Sequence, residues 1–190
     1  MHILHKEILR LAVPSILANI TVPLVGIVGI AVAGHLEGDA PVLIGGMSIG
    51  TLLFDLLYWN FSFLRIGTGG MTAQAYGRGD MKAAAGTLIR AVGVSMSIAL
   101  ICILIQWIFV DFVFLFVESS PAVRTLAESY FHIRIWAAPA TLTLMALKGW
   151  FIGMQDSISP MITDLIVNAM NIVGSICLSM GVAAVGFDGI

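Results

Sequence analysis

Asp55 carries the first chemical question, because a carboxylate can bind and release a proton or hold a small cation. It lies about fourteen residues after Pro41 and about ten before Arg65, in an otherwise uncharged stretch. At about 1.5 Å of rise per residue, that spacing puts it near the middle of a hydrocarbon layer about 30 Å thick. Ser48, Thr51, Trp59 and Ser62 recur around it at intervals of three and four, so they share its helical face. An acid at that depth costs several kcal/mol unless something satisfies it. Two roles fit: a structural acid paired within a helix bundle, or a protonatable or cation-coordinating site open to a cavity. The cost of placing the group there favours the second.

Two further polar stripes accompany it. Asp164, Asn168, Asn171, Ser175 and Ser179 fall at offsets 0, 4, 7, 11 and 15 and make one face of a helix polar for three or four turns. Ser15, Asn19, Pro23, Gly26 and Gly29 make another, in which Pro23 brings no N–H to the helix and the glycines thin it. Interhelical hydrogen bonding explains short stripes of this kind, and lining of a polar cavity explains long ones. The expected cavity lining is therefore Asn19, Pro23, Gly26, Gly29, Thr51, Trp59, Asn168, Asn171 and Ser175. Arg134 and Lys148 are read as snorkelling residues close to helix ends.

Other chemistry is poorly supported. Gly46-Met47-Ser48-Ile49-Gly50 fits the G-x-S-x-G nucleophile elbow, but that motif needs a strand–turn–helix and here it sits inside an apolar helix. The same Gly46/Gly50 pair has the spacing of a close helix–helix contact. An intramembrane serine protease built on Ser48 and His132 is accordingly the least favoured reading. His2, His5, His35 and His132 show no metal-ligand spacing. Cys102 and Cys177 each lie in an apolar run, which argues against a disulfide scaffold or a thiolate metal site. No basic cluster suggests nucleic acid. The expectation is no catalytic chemistry, no cofactor and no metal.

The elements that must position these residues are membrane helices. Of 190 residues, 59% are hydrophobic and 11% charged, and the mean hydropathy is +1.02, too little charge to cover a soluble domain of this size. Uncharged runs at Leu11–Gly34, Pro41–Phe54, Ala91–Val110, Ile135–Leu147 and Leu165–Phe187 approach or exceed the roughly 20 residues needed to span a bilayer. The run after Arg10 is too long for a signal peptide. Caps at Asp39-Ala40-Pro41, Asp80, Thr125–Glu128 and Ser159-Pro160 place five helices at about 7–34, 41–65, 81–110, 125–149 and 160–181. Lys6, Arg10, Arg65, Arg78, Lys82, Arg90 and Lys148 then fall on one side, against Arg124 and Arg134 on the other. That asymmetry predicts a cytoplasmic N-terminus, with the closing Gly186–Ile190 stretch on the far side.

Three segments carry a family resemblance. "FLRIGTGGMTAQAYGRGD" (Phe63–Asp80) resembles the loop between the second and third helices of the multidrug and toxic compound extrusion (MATE) transporters, with its Arg-x-Gly-Thr and Ala-Gln-Ala-x-Gly pattern. "LAVPSILANITVPLVGIV" (Leu11–Val28) is similar to their first helix, and "GWFIGMQDSISPM" (Gly149–Met161) to the turn between the fourth and fifth. The resemblance is strongest to the bacterial branch named for a DNA-damage-inducible protein. It implies an all-α polytopic membrane protein, with five transmembrane helices forming most of the N-terminal six-helix bundle of a twelve-helix transporter. It also implies a missing C-terminal bundle as partner and a place in the bacterial inner membrane. The implied activity is H⁺- or Na⁺-coupled export of small hydrophobic or cationic compounds by alternating access, as in multidrug efflux.

The resemblance has gaps. Where the family carries a coupling acid in a Val-Asp-Thr-like stretch, this sequence reads Val28-Gly29-Ile30. A second acid, found in part of the family four residues after an Asn, falls at Ser175 after Asn171. Coupling between an ion gradient and a substrate needs a site that responds to the ion, and glycine offers none. Asp55 is the candidate substitute, with Asn19, Asn168 and Asn171 polarising the cavity. The alternatives are a truncated or non-transporting membrane subunit, or a flippase for lipid-linked precursors, although flippases of that kind carry more cavity cations than this chain does.

Overall fold

The structure is a computed structural model and describes residues 2–35 and 39–180. Residue 181, the expected end of the fifth helix, and the Gly186–Ile190 stretch lie outside them. Seven α-helices and one 3₁₀ turn make up the described elements, with no strand among the described residues: α1 (His2–His35), α2 (Ala40–Trp59), α3 (Phe63–Gly77), α4 (Met81–Phe114), α5 (Pro121–Arg134), a 3₁₀ turn (Ile135–Ala137), α6 (Ala138–Gly153) and α7 (Ile158–Met180). The protein is an all-α polytopic membrane protein. Ala40–Gly77, Met81–Phe114, Pro121–Gly153 and Ile158–Ser179 are each long and apolar enough to cross a bilayer, and Asn19–Gly34 is a shorter apolar segment of α1.

Two of these crossings are broken helices. After α2 the chain makes i→i−3 bonds, Phe61 N to Tyr58 O (2.9 Å) and Ser62 N to Trp59 O (3.2 Å). The Asn60 side chain donates to Leu56 O at 2.6 Å, a local bond that competes with the helical ladder. The helix drawn over 41–65 therefore turns at 60–62 and continues as α3 to Gly77, so much of the segment expected as a loop is helical. In the next crossing Pro139 supplies no N–H to Ile135 O, and the turn before it tightens to 3₁₀.

Capping explains most of the boundaries. Asp80 Oδ1 accepts from Ala83 N at 2.9 Å and starts α4. The turn before it uses Gly79 at φ +73°, a left-handed conformation that glycine adopts without penalty. Thr125 is not a cap. Its Oγ1 donates to Pro121 O within the helix, and α5 starts four residues earlier on Ser120-Pro121. Nor does Ser159 cap α7; Asp156 Oδ1 accepts from Ile158 N (3.0 Å) and Ser159 N (3.1 Å).

The chain divides into two compact units, residues 1–44 with 156–190, and residues 45–155. In the first, α1 packs against α7. In the second, α3, α4 and α6 pack together, and Leu53, Phe54 and Leu57 of α2 share a core with Cys102 of α4, Phe131 of α5 and Leu142 of α6. Lipid is as apolar as these side chains, so close packing rather than exclusion from water holds them. Glycines make the approach possible: a Cβ on Gly153 would stand 2.6 Å from Gly69 O, and one on Gly149 would run into Arg65 O. Gly46 and Gly50 face Leu126 and Tyr130 in the same way, each 2.5 Å from where a Cβ would sit.

Candidate functional site

Within the second unit a depth scale can be read directly. Arg90 and Asp111 bracket twenty uncharged residues of α4, about 30 Å of helix and the thickness of a hydrocarbon core. Gln106 meets His132 at 3.0 Å, and Gly50 faces Tyr130. These contacts lay α2 residues 50–55 and α5 residues 130–134 alongside the stretch of α4 from about residue 109 to 103, so their inner ends, Asp55 and Arg134, lie about 10 Å inside the plane of Asp111.

Asp55 is exposed on α2 and makes no hydrogen bond or ion pair among the described residues. Its neighbour Phe54 points the other way, buried and stacked on Phe131 at 4.7 Å. Thr51, one turn before, is half-buried, and Trp59, one turn after, is 78% exposed. The carboxylate stands on the open side of an apolar helix, and no cation among the described residues is paired with it.

The remaining sequence-expected residues lie in the first unit. Asn19, Pro23 and Gly26 are exposed on α1, and Gly29 is half-buried. On α7, Asn168 and Ser175 are half-buried and Asn171 is exposed. The structure brings Asn168 to α1, where its Nδ2 donates to Thr21 Oγ1 at 2.6 Å. Thr21 was missed by sequence reading because a threonine in an apolar helix is unremarkable until its partner is known. Ser175 O accepts from Ser179 Oγ at 2.7 Å, so part of that polar stripe is local back-bonding. Among the described residues no group of three or more His, Cys, Asp or Glu side chains is arranged to hold a metal. Ser48 lies inside α2 rather than on a strand–turn–helix, and His132 Nδ1–H donates to Gln106 Oε1.

Arg134 is the last residue of α5, part-way along the Pro121–Gly153 crossing. Its guanidinium lies 4.7 Å from the centroid of the Phe54 ring, and Nη1 donates to Tyr130 Oη at 2.7 Å. Spacing alone did not reveal this, because the helix was taken to begin at Thr125 and to run unbroken.

The family model described as MatE matches residues 14–177. The chain is 38% identical over 176 residues to DNA damage-inducible protein F of Escherichia coli (strain K12), an alignment that covers 93% of this chain and 38% of that protein. It thus spans about two fifths of the length of the curated relative it matches. With the model extending from the first helix to the last, and with four apolar crossings among the described residues, the chain belongs to the MatE family.

Proposed function

We propose that this chain supplies one bundle of a cation-coupled antiporter that exports small hydrophobic or cationic compounds by alternating access, in the manner of multidrug efflux. The observation that carries the reading is Asp55, an exposed carboxylate without a partner among the described residues, on an apolar helix of a MatE-family chain. H⁺ or Na⁺ is the coupling ion, and no cofactor takes part. Asp55 binds the ion in one facing state and releases it in the other, so the free energy of the gradient is linked to the affinity for substrate. Thr51 and Trp59 flank the acid on its own helix. A second bundle completes the pathway, since rocking of one bundle against another needs two. The setting is the bacterial inner membrane, with the N-terminus in the cytoplasm.

The test is dye efflux from energised membrane vesicles that contain the complete transporter. Asp55→Asn should abolish efflux driven by a pH or Na⁺ gradient while leaving gradient-free dye binding intact, and Asp55→Glu should restore part of it. Unchanged efflux in Asp55→Asn would refute the assignment.

A further inference from the structure

We infer that Arg134 is an intramembrane binding site for an anionic group, a carboxylate, sulfonate or phosphate borne by an amphipathic molecule. The inference rests on the transport reading above and changes its substrate class in one respect, from hydrophobic or purely cationic compounds to amphiphiles that carry an anionic group, zwitterions included.

Two arginines of the second unit are seated alike and finished differently. Arg124 lies over the Phe114 ring at 4.8 Å, and its donors reach two carboxylates, Glu128 at 2.6 Å and Asp111 at 3.4 Å. Arg134 lies over the Phe54 ring at 4.7 Å, and its one hydrogen bond among the described residues goes to Tyr130 at 2.7 Å. A guanidinium offers five N–H donors in a rigid fork shaped for two oxygens of a carboxylate or phosphate. At Arg124 the chain fills that fork itself. At Arg134 it fixes the fork from behind, by ring and hydroxyl, and leaves the rest exposed.

Depth adds to the argument. Arg124 stands level with Asp111, where headgroups and water share the work of solvation, whereas Arg134 is about 10 Å further in. A cation at that depth is costly unless it finds a counter-charge or water. Asp55 stands at a similar level but forms no ion pair with it. A fixed positive charge repels a purely cationic solute and attracts one with a negative group. Ile133 and Trp136, within two residues of it along the chain, are exposed apolar side chains that suit the body of such a molecule.

The test is equilibrium dialysis of three probes against the protein in phosphatidylcholine nanodiscs, with empty discs subtracted: 1-pyrenebutyrate, 1-pyrenebutanol and a pyrenebutyl-trimethylammonium salt. The carboxylate should bind more tightly than the other two. Arg134→Gln should weaken it about tenfold, the loss expected when a charge-assisted hydrogen bond pair is removed, and should leave pyrenebutanol unchanged. Arg134→Lys should fold as the native chain does and keep part of the preference. Equal loss of all three probes, or no loss of the carboxylate, overturns the proposal. So does tighter pyrenebutyrate binding by Asp55→Asn, which would mean that Asp55 already occupies the fork. Repeating the dialysis with phosphatidylglycerol in the discs separates the sources of the anion: displacement of pyrenebutyrate assigns the seat to a lipid headgroup, and none assigns it to a solute. Binding is read without any gradient, so failure of the coupling reading, seen as unaltered efflux in Asp55→Asn, is distinguishable from failure here.

Discussion

At the scale of single residues, some polar groups inside the apolar crossings are held by specific partners, and their energetics depend on whether both partners remain. Gln106 is 7% exposed; its Nε2 donates to Ile103 O at 2.9 Å, which leaves Oε1 to accept from His132 Nδ1–H. The imidazole also lies against Trp107, 3.8 Å between ring centroids with the planes tilted by 31°. Gln106→Leu removes the acceptor and leaves a ring N–H without a partner, so it should destabilise the fold by about 1 kcal/mol. The double variant Gln106→Leu/His132→Leu should recover most of that loss. Thermal unfolding in one detergent, run as a double-mutant cycle, measures both. The ion pair at Arg124 behaves differently: it is solvent-exposed, so Arg124→Gln should cost less than about 1 kcal/mol, and less still at high salt. Asp55 was legible in the sequence because a carboxylate in an uncharged run stands out. Arg134 was visible as a residue but not as a site, since the ring and hydroxyl that seat it come from α2 and from the preceding turn of α5.

At the scale of elements, glycine placement decides which helices touch. A Cβ at Gly149 would collide with the backbone carbonyl of Arg65, and a carbonyl locked in a helix cannot swing aside as a side chain does. Gly149→Ala must therefore push α6 away from α3 and should cost about 1–3 kcal/mol, the usual range for overpacking. Gly86→Ala is the control. Nothing lies within 4 Å of its added Cβ, and it exchanges a poor helix former for the best, so it should stabilise α4 by about 0.5–1 kcal/mol. Unfolding midpoints moving in opposite directions would bear out the crossing; equal shifts would refute it. Uncharged length and hydropathy made these helices legible, but their interruptions were not. The turn at 60–62 depends on an asparagine bonding its own helix, and the start of α5 on Ser120-Pro121 rather than on the better-spelled Thr125–Glu128 box. Local motifs compete, and only packing chooses among them.

At the scale of the whole molecule, the proposed mechanism requires more than this chain contributes. Alternating access exposes one site to two sides of a membrane in turn, which takes two bodies that move against each other around it. The chain matches 38% of the length of its Escherichia coli relative, and its crossings carry long apolar faces such as Ile101, Leu104 and Ile108 on α4. Those faces are equally suited to lipid and to a neighbouring bundle, because no hydrophobic force distinguishes the two inside a membrane. The discriminating quantity is the mass of the unit that transports. Native mass spectrometry of the protein released from its own membrane should show an active species well above the 20.2 kDa of this chain, whether the second bundle belongs to the same polypeptide or to another. Reconstituted vesicles containing only residues 1–190 should bind an anionic amphiphile through Arg134 and yet sustain no gradient-driven efflux, since binding needs one wall of the pathway and transport needs both. Uphill efflux from a 20.2 kDa monomer would contradict the two-body mechanism outright.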